Sequence, residues 1–285
     1  MSSIGIYEKA IPKDITWKER LLFAKELGFD FVEMSIDETD ERLARLDWTK
    51  NERKEVVDAI YETDVKILSI CLSGHRRFPF GSKNPKTRNN AMIIIQKAID
   101  LALDLGVRCI QLAGYDVYYE EKSVHSREYF IENLQAAVTM ASAKGVALSV
   151  EIMDDSFINS ITKFKQIKQQ IPSPYLQVYP DLGNLSAWPT NDIGYELEKG
   201  INEISQIHIK DTLAVTSDFP GKFKGVPFGE GCVDFMGCFQ TLKRLNFNGP
   251  FVIEMWSEIS VQPKEEIERA KQVIMPKLRE VGYCE

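Results

Sequence analysis

Short runs of apolar and β-branched residues recur along the chain at Ile4–Tyr7, Phe31–Ile36, Ile67–Leu72, Cys109–Ala113, Ala147–Met153, Leu176–Tyr179, Ile204–Ile209 and Phe251–Trp256. Nearly continuous apolar runs of this length are what parallel strands covered on both faces look like. Between them, apolar residues return every three or four positions, as at Trp17–Leu27, Glu52–Tyr61, Ala91–Leu105, Tyr129–Ala143 and Phe235–Leu245, which is helical spacing. Helix ends are marked too. Thr16 with Glu19 three residues later has the form of a capping box, and Gly28, Gly106, Gly145 and Gly200 follow helical runs where a left-handed C-cap is wanted. Four of the strands end alike, in Glu33, Gln111, Glu151 and Glu254: an apolar run closing on a polar residue.

Eight strand–helix units in a chain of 285 residues predict an α/β fold, a single closed (β/α)8 TIM barrel spanning 1–285. An open dinucleotide-binding sheet would want Gly-x-Gly-x-x-Gly after the first strand, and Gly5-Ile-Tyr-Glu-Lys offers none. No Pro/Ser-rich linker divides the chain.

Composition removes whole classes of function. With 44% hydrophobic and 27% charged residues the chain has material for a core, which excludes disorder. A net charge of −7 without a basic stripe excludes general nucleic-acid binding, and no uninterrupted apolar run is long enough for a membrane helix. Five cysteines without a Cys-x-x-Cys read as reduced thiols, so a cytoplasmic location is expected. A homodimer is expected only by analogy with barrel enzymes in general.

In such a barrel the chemistry lies at the C-terminal strand ends. Strand five ends at Glu151, strand six leads to Asp181, strand seven carries His208 and strand eight carries Glu254. Three carboxylates at one barrel mouth repel and are partly desolvated, so something positive should sit among them. One divalent cation answers this directly; three oxygen donors and an imidazole suit Zn²⁺ or Mn²⁺, with Mg²⁺ and Co²⁺ also compatible. Any one of these residues alone reads equally as a structural ion-pair member; the joint pattern makes the case. Glu33 and Gln111 end strands two and four across the barrel, and read as either supporting or substrate contacts. No Gly-x-Ser-x-Gly, His-Glu-x-x-His or Walker loop is present, and three histidines are too few for a multi-zinc nuclease.

After strand seven, the glycine-rich stretch Asp218–Gly231 carries Lys222 and Lys224 and reads as a loop over the mouth, either an anion site or a solvated lid. His75 and Arg76 follow strand three and offer a second basic cluster, and Lys210 shares strand parity with His208.

Several longer strings carry a resemblance: Gly5-Ile-Tyr-Glu-Lys-Ala10, Gly28-Phe-Asp-Phe-Val-Glu-Met-Ser35, Leu72-Ser-Gly-His-Arg-Arg-Phe78, Pro180-Asp-Leu-Gly-Asn-Leu-Ser-Ala-Trp188, Val226-Pro-Phe-Gly-Glu-Gly231 and Ile253-Glu-Met-Trp-Ser-Glu258. With them the chain resembles, almost end to end, the bacterial L-ribulose-5-phosphate (L-xylulose-5-phosphate) 3-epimerases of L-ascorbate utilisation, within the xylose-isomerase-like barrels. The resemblance implies that Glu151, Asp181, His208 and Glu254 bind one divalent metal. It also implies a small-molecule sugar phosphate as partner, an enediolate on the path, and Glu151 and Glu254 as the acid–base pair on the two faces of C3. Tyr7, His75, Arg76, Asn184, Lys210, Lys222 and Lys224 are the expected substrate or phosphate contacts. The free-ketohexose 3-epimerases of the group carry a Glu and an Arg where this chain has Phe157 and Ala214, which turns the expectation toward a phosphorylated substrate. The same metal and carboxylates would also serve an aldose–ketose isomerase or an inosose-type dehydratase, and a non-catalytic sugar-phosphate-binding barrel is the reading from another class.

Overall fold

Each apolar run pairs with the next. In a computed structural model describing residues 1–285, the strands are β1 (Ile4–Tyr7), β2 (Phe31–Ser35), β3 (Lys66–Leu72), β4 (Cys109–Ala113), β5 (Ala147–Glu151), β6 (Leu176–Tyr179), β7 (Ile207–Ile209) and β8 (Phe251–Ile253). They form one parallel sheet in the order β6-β5-β4-β3-β2-β1-β8-β7. Isolated parallel bridges Val178–Ile204 and Asp181–His208 span the remaining gap between β6 and β7 and close the circle. The TIM barrel read from the pattern is therefore the fold.

Eight longer helices surround it: α1 (Trp17–Glu26), α2 (Lys50–Thr63), α3 (Pro85–Leu105), α4 (Val124–Ser142), α5 (Ile161–Gln170), α6 (Ile193–Gly200), α7 (Phe235–Arg244) and α8 (Pro263–Val281). The Thr16–Glu19 capping box forms as expected, because each side chain satisfies an N–H that the first helical turn leaves free. Gly28, Gly106 and Gly145 take positive φ at helix ends, whereas Gly200 does not. Gly200 is instead the last residue of α6, where a Cβ would lie 2.6 Å from an Ile161 methyl; close helix packing, not a cap, requires the glycine.

Register brings the strand ends to one level. Tyr7 pairs with Glu33, Ala113 with Glu151, and Glu151 with Tyr179. Strand ends that face inward at one height place their polar termini over a common apolar floor.

Just past β1, Glu8 is fully buried against three arginines. Arg45 binds both its oxygens at 2.7 and 2.8 Å, Arg42 contacts Oε1, and Arg20 Nε lies 3.5 Å away. Arg42 also reaches Glu258 after β8 at 2.6 Å, so the cluster ties together the loops following β1, β2 and β8. Burial pushes the Glu8 carboxyl up, but Arg45, Arg20 and Arg42 outweigh it and hold the group at about 2, against an ordinary 4.5. A depressed pKa contributes stability that is present above the unfolded value and lost as pH falls through the folded one, here about 3 kcal/mol between about pH 4.5 and 2. Glu8→Gln should cost ~3–5 kcal/mol in urea unfolding at pH 7, because it leaves buried guanidiniums without their shared anion. The gap to the parent chain should narrow as pH falls through that window; a gap constant down to pH 2.5 would mean that shape, not charge, is what Glu8 supplies.

Candidate metal centre

Four neighbouring staves supply the centre. Glu151 is the last residue of β5, His208 the middle residue of β7, and Glu254 directly follows β8. Asp181, two residues past β6, caps the short helix Leu182–Ser186: its Oδ1 accepts the Asn184 N–H at 2.7 Å, which leaves Oδ2 turned inward. The ligand atoms of the four residues lie within 4.8 Å of one another, and all four residues are buried. His208 Nδ1 lies 2.8 Å from Glu151 Oε1, 3.8 Å from Glu254 Oε1 and 3.9 Å from Asp181 Oδ2.

The donor set fits a divalent cation. Asp181 Oδ2 and Glu254 Oε2 are buried without a well-directed hydrogen bond; the cation nearest to each is the Lys210 ammonium, at 2.9 and 3.0 Å. Burial pushes Glu151 and Asp181 upward, Asp181 to about 7. Burial also pushes Glu254 up, but Lys210 and His208 outweigh it and hold that carboxyl at about 2. On its own charges, then, the cluster cannot keep all three carboxylates comfortably ionised near neutrality, and a cation among them removes the conflict. Three carboxylate oxygens and an imidazole nitrogen are donors that zinc or manganese accepts.

Glu33 points into this centre from β2, three staves away from β7, and Gln111 points into it from β4, the immediate neighbour of β5. Glu33 Oε1 is 2.6 Å from His208 Nε2, and Gln111 Nε2 donates to Glu151 Oε2. The sequence reading put both at strand ends across the barrel from the quartet; Glu33 and Gln111 are instead the middle residues of β2 and β4, and Gln111 stands beside the strand of Glu151, because the ladder runs on past an inward polar residue.

The basic residues divide into two groups. Lys210 sits inside the centre, 5.6 Å from the Trp256 ring centroid, and Lys224 reaches the same ring at 5.2 Å from the loop above. Arg76 stacks over Tyr115 and Tyr118 at 5.6 and 5.5 Å, its Nε has no hydrogen-bond partner, and neither it nor Lys224 has a carboxylate within 4.0 Å. Burial lowers the Lys224 pKa and the nearby Arg76 charge lowers it further.

His75 is placed otherwise than the sequence reading expected. The chain winds into a 3₁₀ turn at Ser73–Arg76, which sends His75 into the core: its Nε2 donates to the Ala91 carbonyl at 3.1 Å, its ring packs on Phe80, and burial lowers its pKa to about 4. Neutral and enclosed, it is no phosphate ligand. Lys222 is exposed and held by backbone pairing with Leu213, forming no ion pair. Asn184 braces the end of β5 by donating to the Ile152 carbonyl at 2.8 Å, and its own Oδ1 is unpartnered. Tyr7 hydrogen-bonds Ser35 at 3.0 Å, with its ring 6.3 Å from that of His208. Phe157 packs edge-on against Phe130 in the barrel wall.

The loop above is held by Asp211, which sequence reading passed over. Its carboxylate accepts the N–H groups of Thr212, Gly229 and Gly231 at 2.8–3.0 Å. A Cβ on Gly231 would stand 2.0 Å from Asp211 Oδ1, so only glycine lets the loop close this tightly. Beneath the loop, a cavity of about 570 Å³ runs from Lys210, Glu254 and Trp256 out to Val273 on α8.

The barrel has counterparts among known proteins. A family model described as the xylose isomerase-like TIM barrel matches residues 21–277. SgbU of Escherichia coli (strain K12), named provisionally as an L-ribulose-5-phosphate 3-epimerase, is 55% identical over 98% of both chains. The L-ribulose-5-phosphate 3-epimerase UlaE of Shigella boydii serotype 18 is 50% identical, covering 99% of this chain and 97% of the relative. Among solved structures, D-psicose 3-epimerase from Clostridium cellulolyticum H10, bound to D-tagatose, superposes with a TM-score of 0.79 at 16% identity over 99% of this chain and 100% of that one, a likeness of fold alone. Matched by the family model along most of its length and by SgbU and UlaE almost end to end, the chain belongs to the xylose isomerase-like TIM barrel family, alongside these two relatives.

Proposed function

We propose that this chain is a divalent-metal-dependent 3-epimerase that interconverts L-ribulose 5-phosphate and L-xylulose 5-phosphate, working as one barrel domain over residues 1–285 in the cytoplasm. The observation that carries the reading is the convergence of Glu151, Asp181, His208 and Glu254 within 4.8 Å, in a chain half identical to UlaE. These four residues would hold the metal. When bound, the ion supplies Lewis-acid stabilisation of negative charge on the substrate oxygens around C2 and C3.

The chain's own groups do the rest. Inverting C3 requires a proton to leave one face of the carbon and another to arrive on the opposite face, so two acid–base groups must flank it. Glu151 and Glu254 approach from staves three apart around the closed barrel, through β6 and β7, and are the pair. One takes the C3 proton, giving the C2–C3 enediolate, and the other delivers a proton from the far side; the roles exchange in the reverse direction. Arg76 and Lys224, cations without carboxylate partners, hold the phosphate at the mouth, Arg76 with the paired N–H geometry that suits it. Trp256 and the loop held by Asp211 cover the sugar and exclude water.

Proton NMR in D₂O with L-xylulose 5-phosphate tests this. The C3 proton signal should disappear as L-ribulose 5-phosphate forms, while the C1 protons persist. Exchange at C1 with an aldose product would make the protein an isomerase; loss of water would make it a dehydratase; no turnover with binding intact would make it a binding barrel. Arg76→Ala should lower kcat/KM for the phosphorylated sugar by roughly ten- to a hundred-fold, the worth of one charged hydrogen-bonded contact, and should leave slow turnover of free L-xylulose unchanged. An equal loss on both sugars would place the phosphate elsewhere.

A further inference from the structure

Glu33 is a carboxylate with no exposed surface in the middle of β2, remote in sequence from every residue of the centre. A buried charge of this kind is costly unless each of its oxygens is satisfied. Here both are: Oε1 meets His208 Nε2 at 2.6 Å, and Oε2 accepts from Ser69 at 2.6 Å and from Tyr179 at 2.9 Å. Gln206 Oε1 lies 3.3 Å from both of those hydroxyls and completes the network from below. The Tyr179 ring also lies 4.6 Å from the His208 ring, tilted by 58°, and limits its rotation. The imidazole is thus gripped on its Nε2 edge and one face, with Nδ1 the only nitrogen turned toward Glu151, Asp181 and Glu254.

We propose that Glu33 is a positioning residue of the metal centre: seated by Ser69 and Tyr179, it accepts the His208 Nε2–H, fixes the ring, and presents the Nδ1 lone pair to a divalent cation. This deepens the proposed function and rests on its metal site. A carboxylate behind a ligand histidine sets which nitrogen is free and makes it a better donor, and loss of such a partner typically weakens metal binding 10–100-fold.

The measurement is the dissociation constant for Zn²⁺ and Co²⁺ alone, by chelator competition, on the full chain without substrate. Glu33→Gln should weaken both metals by roughly 10–100-fold and alter the visible spectrum of the cobalt form, with the circular dichroism of the metal-free protein unchanged. Tyr179→Phe, which removes one hydroxyl and keeps the ring, should weaken binding in the same direction by a smaller factor and serves if Glu33→Gln does not fold. Metal affinity and cobalt spectrum within two-fold of the parent in both variants would overturn the proposal. That outcome is distinct from failure of the metal reading itself, in which the parent chain binds neither ion and Asp181→Asn changes nothing.

Discussion

Glu254→Gln and Glu151→Gln should each slow epimerisation by roughly a hundred- to ten-thousand-fold, the usual contribution of a positioned proton-transfer group. Both residues also sit in the metal centre, so loss of rate alone would not separate the two roles. The two-face arrangement supplies the separation. If one carboxylate takes the proton and the other returns it from the opposite side, removing the second leaves the first able to exchange C3–H with solvent on its own epimer. Glu254→Gln should therefore let deuterium into one of the two sugar phosphates without inverting it, and Glu151→Gln should do so with the other. A glutamine retains an oxygen donor, so both variants should still take up metal, which is assayed alongside. Exchange into both epimers by either metal-loaded variant would show that a single group serves both faces, and the assignment of the pair would fall.

The architecture was legible because every strand buries both faces. That requirement writes itself as eight apolar runs, and five of them match the observed strands to within one residue at each end. The other three run long: Ala147–Met153 and Phe251–Trp256 continue past β5 and β8, and Ile204–Ile209 begins before β7, because periodicity does not distinguish flanking apolar chain from a hydrogen-bonded strand. The quartet was equally visible, since charge at the end of an apolar strand has few places to go but the mouth. Residues beyond regular strands were harder. Strand parity brings Lys210 to the same face as His208, but parity ends where the chain turns, and the 3₁₀ winding after β3 separates two adjacent basic residues: His75 enters the core and Arg76 rises over the tyrosines. Glu8, in a Glu-Lys pair that looks like solvated surface, proved to be the hub of an arginine cluster whose members come from three segments. Partnerships formed across the barrel, such as Glu33 with His208, leave no local spacing to read.

Removing the metal should stop turnover more completely than any single substitution outside the centre. The proton at C3 is held by carbon, and the group that must take it is a carboxylate whose ordinary pKa is about 4.3, a weak base for such an acid. Catalysis by these residues therefore depends on stabilising the charge left behind, a contribution of several kcal/mol when a divalent ion provides it. At 1.36 kcal/mol for each factor of ten, that is roughly a thousand-fold or more in rate. Dialysis against a chelator should reduce epimerisation by at least that factor, and Zn²⁺ or Mn²⁺ added back should restore it. Asp181→Asn gives an independent handle, because Asp181 is assigned to holding the ion and to no proton transfer. Its Oδ1 role in capping Leu182–Ser186 can be kept by the amide oxygen, while the charge directed at the centre is lost. The variant should bind metal more weakly and regain activity when the ion is supplied in excess, unlike Glu254→Gln. If the chelated protein, shown by elemental analysis to be metal-free, turned over L-xylulose 5-phosphate at the starting rate, the four converging side chains would have to be reinterpreted as an ion-pair network around Lys210.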